Sequence, residues 1–356
     1  FLIICLKKIL KVHKLFFYLV NIIFIMSLSL AENQNPYYDS SKSHHTISGF
    51  TNPYISEINQ KKNFSDLYKM MRESRPQIST KINIEQVDIN DLSKRIQDDQ
   101  NFYLWIGHST ILLHVNKKLI LTDPIFSGRC SPVQFLGPER YTDPAIKLED
   151  LPQIDIIVIS HNHYDHLDYN SVKQIGDTVT WFVPLGLKKW FNENGISNVV
   201  EMDWMDSYII DGIKIDCLPS QHWSKRTIHK SFDTLWASWL ITINNFKFWF
   251  AGDTGYNNVQ FKAIGQKYGP INLAAIPIGA YEPRWFMKNF HINPEEAVKI
   301  HLDVQSEQSI GIHFGTFVLT TEPVEEPAQK LINARNAYGL NENSFLIPQI
   351  GKFINL

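Results

Sequence analysis

Short apolar runs that end in polar or turn-forming residues dominate the chain from about residue 97 onward. Runs such as Phe102–Ile106, Asp155–Ile159 and Phe246–Ala251 have the length and the β-branched or aromatic content of buried strands. Further strands are predicted at residues 110–114, 118–122, 180–183, 207–210, 213–218, 236–243, 273–278 and 309–313. Helices are predicted near residues 64–74, 170–176, 186–194, 257–267, 294–303 and 324–338. Strands in two groups, with helices between and after them, predict an α/β fold of two packed sheets with helices outside.

Helix boundaries in the second half carry clear signals. Asn293 is a good cap, Pro294 suits the first helical position, and Glu296 completes a capping box. Gly339 is expected to end the last helix. The chain as a whole predicts a targeting or anchoring segment over residues 1–31, an extended and partly ordered arm over 32–96, and one large domain over 97–356.

The first thirty residues have the layout of a secretory signal or a membrane anchor. Four lysines within residues 7–14 precede an apolar run over residues 15–26, and small residues follow. This predicts a protein that is exported or held at a membrane. If Met26 is the start of translation, the segment is lost and a cytoplasmic protein is expected.

Charge and cysteine content exclude some classes of protein. The formal net charge is −2, and because residues 1–30 carry four lysines and no acid, the rest of the chain carries −6. An acidic body without a basic block argues against nucleic acid as a partner. Of three cysteines, Cys130 and Cys217 lie in the domain. They imply no disulfide framework, although a single bridge between them stays open.

Candidate chemistry is concentrated in Ser160-His-Asn-His-Tyr-Asp-His166. His161, His163, Asp165 and His166 directly follow a predicted buried strand, which delivers nitrogen and oxygen donors to one edge of a sheet. Neutral imidazole and carboxylate are ligands that zinc takes in proteins. This pattern predicts a metal site rather than a polar loop that happens to be rich in histidine.

Three more donors stand at the ends of later predicted strands. His222 follows the strand over 213–218, Asp253 follows the strand over 246–251, and His313 ends the strand over 309–313. Each has glycine or proline nearby to turn the chain away. One such residue would more often be structural, but three of them after the histidine cluster favour a shared metal centre.

The ligand pattern and several longer runs resemble the metallo-β-lactamase fold superfamily, and within it the N-acylphosphatidylethanolamine-hydrolysing phospholipase D family. The resemblance extends from about Leu104 to about Gly339 and implies an αββα sandwich. Its motifs are Trp105-Ile-Gly-His-Ser-Thr110, Leu121-Thr-Asp-Pro-Ile-Phe-Ser127, residues 160–168, Pro219-Ser-Gln-His-Trp223, Ala251-Gly-Asp-Thr-Gly-Tyr256, residues 278–287 and Asn293-Pro-Glu-Glu-Ala-Val298. The metal pattern is specific for the superfamily, and residues 278–298 point to the phospholipase family.

The resemblance implies two zinc ions and a place for each ligand. The first ion would be held by His161, His163 and His222, the second by Asp165, His166 and His313, and Asp253 would bridge them. Two such ions clamp the entering and leaving oxygens of a phosphoryl displacement. The implied reaction is attack by a zinc-bound hydroxide on a phosphodiester, which yields phosphatidic acid and an N-acylethanolamine.

Further candidate residues are predicted around the metal ligands. Asp165 and His291 are the candidate catalytic residues, and His291 also stands where relatives place a contact to the lipid headgroup. The family commonly has glutamine before this histidine, but this chain has Phe290. Further predictions are Tyr164 and Tyr281 as substrate contacts, Asp123 as a hydrogen-bond acceptor for a ligand histidine, and His108 in a structural hydrogen bond.

A phospholipid substrate requires an apolar surface beside the metals, so a membrane surface is the expected partner. Candidates for that surface are Phe126, Phe135, Leu136, Trp285, Phe286 and Met287. The resemblance also implies a homodimer. Two alternatives stay open: a hydrolase of the same fold that acts on a soluble phosphodiester or lactone, and a non-catalytic binding protein. The second is disfavoured, because such proteins lose ligands and all seven are present.

Overall fold

The described residues divide into two compact units, with the boundary between Thr51 and Asn52. The computed structural model describes residues 34–60, 64–73, 82–227 and 230–356. In the first unit, β1 (His45–Thr46) and β2 (Gly49–Phe50) form an antiparallel hairpin. The targeting segment predicted over 1–31 lies outside the described residues. Within the described ranges, no helix is long and apolar enough to cross a membrane.

The second unit contains two sheets of seven strands. In spatial order the first sheet contains β16 (Phe353–Asn355), β3 (Phe102–Gly107), β4 (Thr110–Val115), β5 (Lys118–Thr122), β6 (Ile156–Val158), β7 (Thr180–Pro184) and β8 (Val199–Met202). Strands β5 to β8 are parallel and the remaining pairs are antiparallel. The parallel strands are buried on both faces, which explains their continuous apolar runs.

The second sheet has a similar mixed arrangement. In spatial order it contains β15 (Phe345–Leu346), β14 (Ser306–Ile312), β13 (Ile271–Pro277), β12 (Phe246–Phe250), β11 (Ser238–Ile243), β10 (Ile213–Leu218) and β9 (Ser207–Ile210). Strands β12 to β15 are parallel, and β9 to β12 pair in antiparallel fashion. A hydrogen bond links the two sheets: the indole of Trp239 in β11 donates to the carbonyl of Ile159, which follows β6, at 2.9 Å.

The structure describes nine helices in these ranges, and six of them pack against the sheets. The helices are α1 (Glu57–Gln60), α2 (Phe64–Met71), α3 (Ile89–Gln97), α4 (Tyr169–Ile175), α5 (Lys188–Glu193), α6 (Gln260–Tyr268), α7 (Arg284–Met287), α8 (Pro294–Asp303) and α9 (Glu326–Ala337). One apolar core packs α3, α4 and α5 against the first sheet, and another packs α6, α8 and α9 against the second. This four-layer arrangement confirms the predicted αββα sandwich.

The start of α8 has the capping residues that the sequence predicts. The side chain of Asn293 accepts from the Glu296 amide at 2.9 Å, and Glu296 accepts from the Asn293 amide at 3.0 Å, so α8 begins with the predicted capping box. Helix α3 was not predicted; it lies within the stretch assigned to an extended arm and is capped by Asp88. Cys130 and Cys217 are both buried and are not joined to one another, so the bridge that the sequence left open is not formed.

Candidate metal centre

The seven predicted ligands come from the ends of four strands. His161 to His166 follow β6, His222 follows β10, Asp253 follows β12, and His313 follows β14. Strands β6, β12 and β14 lie in the parallel halves of the two sheets, so their carboxyl ends reach the same edge of the sandwich. The structure brings all seven side chains together there.

A glycine allows two of these loops to approach one another. Gly252 has a φ of +61°, and a Cβ atom at this position would lie 2.6 Å from the Cβ of Ser160. Any other residue would therefore push the loop that carries Asp253 away from the loop that carries His161. The Gly-Asp sequence after β12 is thus a packing requirement of the metal centre.

Three imidazole nitrogens converge at the first metal position. The Nδ1 of His163 lies 2.8 Å from the Nε2 of His161 and 3.2 Å from the Nε2 of His222. Ligands of a tetrahedral zinc ion with bonds of about 2.0–2.1 Å lie about 3.3 Å from one another. The separations are therefore close to those that one small cation imposes on its ligands.

Two imidazoles and a carboxylate converge at the second metal position. The Oδ2 of Asp165 lies 3.4 Å from the Nε2 of His166 and 3.4 Å from the Nε2 of His313. The two imidazole nitrogens are 3.2 Å apart. This set also has the spacing of ligands around one ion.

Asp253 lies between the two positions. Its Oδ1 is 3.1 Å from the Nε2 of His313, while its Oδ2 is 3.2 Å from the Nε2 of His166 and 3.9 Å from the Nε2 of His222. Among the described residues, Oδ1 of Asp253 is buried and makes no hydrogen bond of good geometry, although His313 lies close to it. A buried carboxylate oxygen left in this way beside converging imidazole nitrogens fits a centre that holds cations.

Burial keeps the first set of imidazoles neutral. It lowers the pKa of His163 to about 4, that of His222 to about 3, and that of His161 well below its ordinary value. A neutral ring has a free lone pair, which is the form that binds a metal. The first position is therefore ready to accept an ion at neutral pH.

The second set of imidazoles behaves differently without metal. Burial lowers the pKa of His313 and His166, but the carboxylates of Asp253 and Asp165 outweigh it. The pKa of His313 rises to about 9, and that of His166 rises well above its ordinary value. A cation must displace protons from these rings, so its affinity for the second position falls as the pH is lowered.

Asp123, which the sequence predicts as an acceptor for a ligand histidine, contacts Ser160 and His166. It follows β5, and its carboxylate accepts from the Ser160 amide at 2.7 Å and the Ser160 hydroxyl at 2.5 Å. The Nδ1 of His166 lies 2.6 Å from the same carboxylate. A proton held at Nδ1 leaves Nε2 of His166 for the metal, which is how an outer hydrogen bond selects the tautomer of a ligand.

His222 has supports that the sequence did not reveal. Its Nδ1 lies 2.9 Å from the carbonyl of Phe290. Its own carbonyl accepts from the side chain of Asn52 at 2.8 Å, and Asn52 is itself held by Gln60. No local pattern could indicate the contact with Asn52, since the partners are 170 residues apart. Phe290 therefore contributes a backbone acceptor to this ligand.

His291 lies at the centre. Its Nδ1 is 3.8 Å from the Oδ2 of Asp253, and its ring is 5.0 Å from that of His222. The side chain is 12% exposed, and its Nδ1 has no hydrogen-bond partner in the described part of the chain. Arg284 fixes this segment by donating to the carbonyl of His291 at 2.8 Å. The ring thus stands beside the metal positions with a free polar atom.

The two tyrosines predicted to contact substrate are placed differently. Tyr164 is half-buried, and its ring lines an open cavity of about 380 Å³ beside the metal-binding loop. Its hydroxyl donates to the carbonyl of Arg226 at 2.8 Å. Tyr281 is only 1% exposed, and its hydroxyl donates to Glu326 at 2.7 Å. This placement favours packing rather than substrate contact for Tyr281, because α9 occupies its polar atom.

The residues predicted to face a membrane separate into exposed and buried groups. Phe135 and Leu136 are 82% and 67% exposed, and Trp285 is 38% exposed. Phe126 and Phe286 are half-buried, and Met287 is buried. Phe135 and Leu136 are neighbours in one loop, so they form the larger apolar feature at the surface.

Comparison with known proteins agrees with this centre. Residues 118–314 match the family model described as the beta-lactamase superfamily domain. The chain is 46% identical over 265 residues to N-acyl-phosphatidylethanolamine-hydrolyzing phospholipase D 1 of Caenorhabditis elegans, covering 70% of this chain and 74% of that protein. It is 37% identical over 256 residues to the mitochondrial N-acyl-phosphatidylethanolamine-hydrolyzing phospholipase D of Saccharomyces cerevisiae, covering 70% of this chain and 54% of that protein.

A solved structure supports the fold independently. A metallo hydrolase of the archaeon Ignicoccus hospitalis superposes with a TM-score of 0.54 at 19% identity, covering 72% of this chain and 98% of that one. The family and the fold together imply a centre that binds divalent metal, and they confirm the prediction of a metal-dependent hydrolase. The chain therefore belongs to the metallo-β-lactamase superfamily and, within it, to the family of N-acylphosphatidylethanolamine-hydrolysing phospholipases D.

Proposed function

We propose that this protein is a zinc-dependent phosphodiesterase that hydrolyses N-acylphosphatidylethanolamine to phosphatidic acid and an N-acylethanolamine. The observation that carries the proposal is the convergence of six ligand side chains in two sets, with Asp253 between them. The relatives named for this reaction support the choice of substrate. We propose two zinc ions, because imidazole and carboxylate donors at tetrahedral spacing suit zinc.

The residues of the centre have separable roles in this scheme. Two bound ions would activate a water molecule and neutralise the charge that develops on the phosphate. Burial disfavours the ionised form of Asp165, but the neighbouring histidines hold its pKa well below the ordinary value. The ionised carboxylate can accept the proton that the attacking water loses and return it to the leaving oxygen. A bond from water oxygen to phosphorus forms, and the bond from phosphorus to the ethanolamine oxygen breaks.

We assign His291 a role in binding the substrate. Burial lowers its pKa to about 3, so its ring is neutral at pH 7. A neutral imidazole with an unpartnered Nδ1 offers a hydrogen bond to a phosphate oxygen or to the leaving oxygen, without adding charge near the metals.

Hydrolysis of N-acylphosphatidylethanolamine by the full chain in mixed micelles tests the proposal. We expect release of both products, detected by mass, and loss of that release when a chelator removes the metal, with recovery on addition of zinc. Bound zinc without release of either product would reject the lipid substrate. It would favour a soluble phosphodiester or lactone, because such enzymes use nearly the same ligands. A protein that binds no divalent metal would reject the catalytic proposal itself.

The lipid substrate also requires contact with a membrane surface, and we assign that contact to the loop of Phe135 and Leu136. Hydrogen bonds from Arg129 fix both ends of this loop. The side chain of Arg129 donates to the carbonyl of Gly137 at 2.7 Å, and its backbone amide and carbonyl both bond to the side chain of Gln134. A fixed loop that presents two adjacent large apolar side chains to solvent can insert them into a lipid interface at little cost in conformational entropy.

Replacing both Phe135 and Leu136 with serine is expected to weaken binding to phospholipid vesicles by at least about tenfold. Burying one such side chain contributes about 1.5–3 kcal/mol, and partial insertion of two should retain about half of the sum. Sedimentation with vesicles measures the effect. The matched control is Tyr208→Ser with Ile209→Ser, since these neighbours are 41% and 70% exposed on the edge strand β9. Equal loss of binding in both double variants would contradict the assignment.

A further inference from the structure

His108 is a buried residue of the turn between β3 and β4. It has a left-handed φ of +50° and is only 1% exposed. Residues other than glycine adopt this backbone region rarely, although histidine does so more readily than most. A strained and fully buried residue is retained only where its surroundings require that conformation. In this conformation, His108 contacts two of the predicted metal ligands, Asp165 and His313.

The side chain of His108 contacts one ligand of the second metal position. Its Nε2 lies 3.1 Å from the Oδ2 of Asp165, and its Nδ1 is buried with no partner among the described residues. A neutral ring has one protonated nitrogen. We therefore place the proton on Nε2, which donates it in a hydrogen bond to Asp165. Nδ1 is then unprotonated, and no donor faces it.

The backbone of His108 contacts another ligand of the same position. Its carbonyl accepts from the amide of His313 at 3.0 Å and from the indole of Trp105 at 2.8 Å. Its own amide donates to the hydroxyl of Thr316 at 2.7 Å. The ring of His108 also lies against that of His313, with centroids 4.1 Å apart. One residue that is not among the seven ligands thus touches two of them.

We propose that His108 is a positioning residue that builds the second metal position, with its imidazole orienting Asp165 and its carbonyl orienting His313. A neutral donor suits this role, because it fixes the carboxylate and leaves its negative charge for the metal. The single contact of the ring at Nε2 and its unpartnered Nδ1 in the described part of the chain agree with a neutral donor. This inference rests on the two-metal centre of the proposed function, and it does not depend on the substrate.

Stepwise metal binding to the metal-free protein tests the proposal. Zinc is added against a competing chelator, and the two binding constants are assigned with the variant Asp165→Ala, which should lack the second site. In His108→Asn, asparagine tolerates the left-handed backbone but is too short to reach Asp165. We expect affinity at the second position to fall by about 10- to 100-fold, with little change at the first.

Two further variants separate positioning from a general structural effect. In His108→Gln, the amide nitrogen can take the place of Nε2, so most of the affinity should return. His114→Asn is the control, because His114 is a buried histidine of β4 whose Nδ1 contacts the carbonyl of Gln100 at 2.7 Å. Both binding constants should be unchanged in the control. Equal weakening of both positions in His108→Asn, or no rescue by glutamine, would overturn the proposal.

A double-mutant cycle tests whether His108 acts through Asp165. If it does, the loss of stability that His108→Asn causes in the metal-free protein should largely disappear once Asp165 is alanine, and thermal unfolding measures both effects. Additive effects would assign His108 a separate structural role and overturn the inference. If the unmodified protein binds only one metal ion, the two-metal centre fails. If it binds two and His108→Asn binds them normally, only the role of His108 fails.

Discussion

Replacing Asp165 or His313 with alanine is expected to abolish hydrolysis of N-acylphosphatidylethanolamine, with a loss of at least about a thousandfold in turnover. Each side chain supplies a donor to the second metal position, where their converging atoms are 3.4 Å apart. Loss of an ion that stabilises transition-state charge removes several kcal/mol, and about 1.4 kcal/mol corresponds to a factor of ten in rate. The assay in mixed micelles measures the loss, and metal analysis shows whether the second ion is absent.

The matched control for these variants is His301→Ala. His301 is a buried histidine of α8 whose Nδ1 lies 2.8 Å from the hydroxyl of Ser309, within the core of the second sheet. This variant should lose stability but retain turnover in the fraction that stays folded. Retained activity in Asp165→Ala or His313→Ala would reject the two-metal scheme.

Asp123→Asn is expected to weaken metal binding by about 10- to 100-fold while leaving all seven ligands in place. The carboxylate of Asp123 accepts from two groups of Ser160 and lies 2.6 Å from the Nδ1 of His166. In asparagine, an NH2 group replaces one of the two acceptor oxygens and would face another hydrogen-bond donor. The ring of His166 would then lose the contact that orients it. A buried donor left without a partner also costs about 1–3 kcal/mol of stability.

Competition with a chelator and thermal unfolding of the metal-free protein measure the two effects of Asp123→Asn separately. Asp155→Asn is the control, since Asp155 also accepts a backbone hydrogen bond in the first sheet, from Leu119 at 2.8 Å, but lies outside the metal centre. Asp155→Asn should lower the stability slightly and leave the metal affinity unchanged. Unchanged metal affinity in Asp123→Asn would show that Asp123 serves the fold rather than the ligands.

Sequence patterns were sufficient to identify the seven side chains that converge in the structure, because each of them lies in the segment that follows a strand. A polar donor directly after a buried strand is a local feature, and parallel strands carry such donors to a common edge. His161, His222, Asp253 and His313 could be recognised in this way, one strand at a time. Asp123 belongs to the same class, since it follows β5. The capping box of α8 is equally local, since all of its hydrogen bonds lie within four residues.

Side-chain direction at less regular positions was not predictable. Tyr281 lies in the run that pointed most clearly to the phospholipase family, yet its hydroxyl turns inward to Glu326, 45 residues later. Whether a tyrosine in an irregular segment faces solvent or the core depends on the helix that packs against it. The spacing of Cys130 and Cys217 likewise left a bridge between them undecided, and the structure does not join them.

By itself, the sequence determined the αββα class, the order of the main strands and the seven donors at their ends, because each depends on local periodicity and on short-range chemistry. Only the tertiary structure decided which groups support those donors. Asn52 reaches His222 across 170 residues, His108 reaches Asp165 across 57, and β16 joins the edge of the first sheet at β3. Such contacts depend on how the two sheets and their loops pack, and no local pattern of residues encodes that packing.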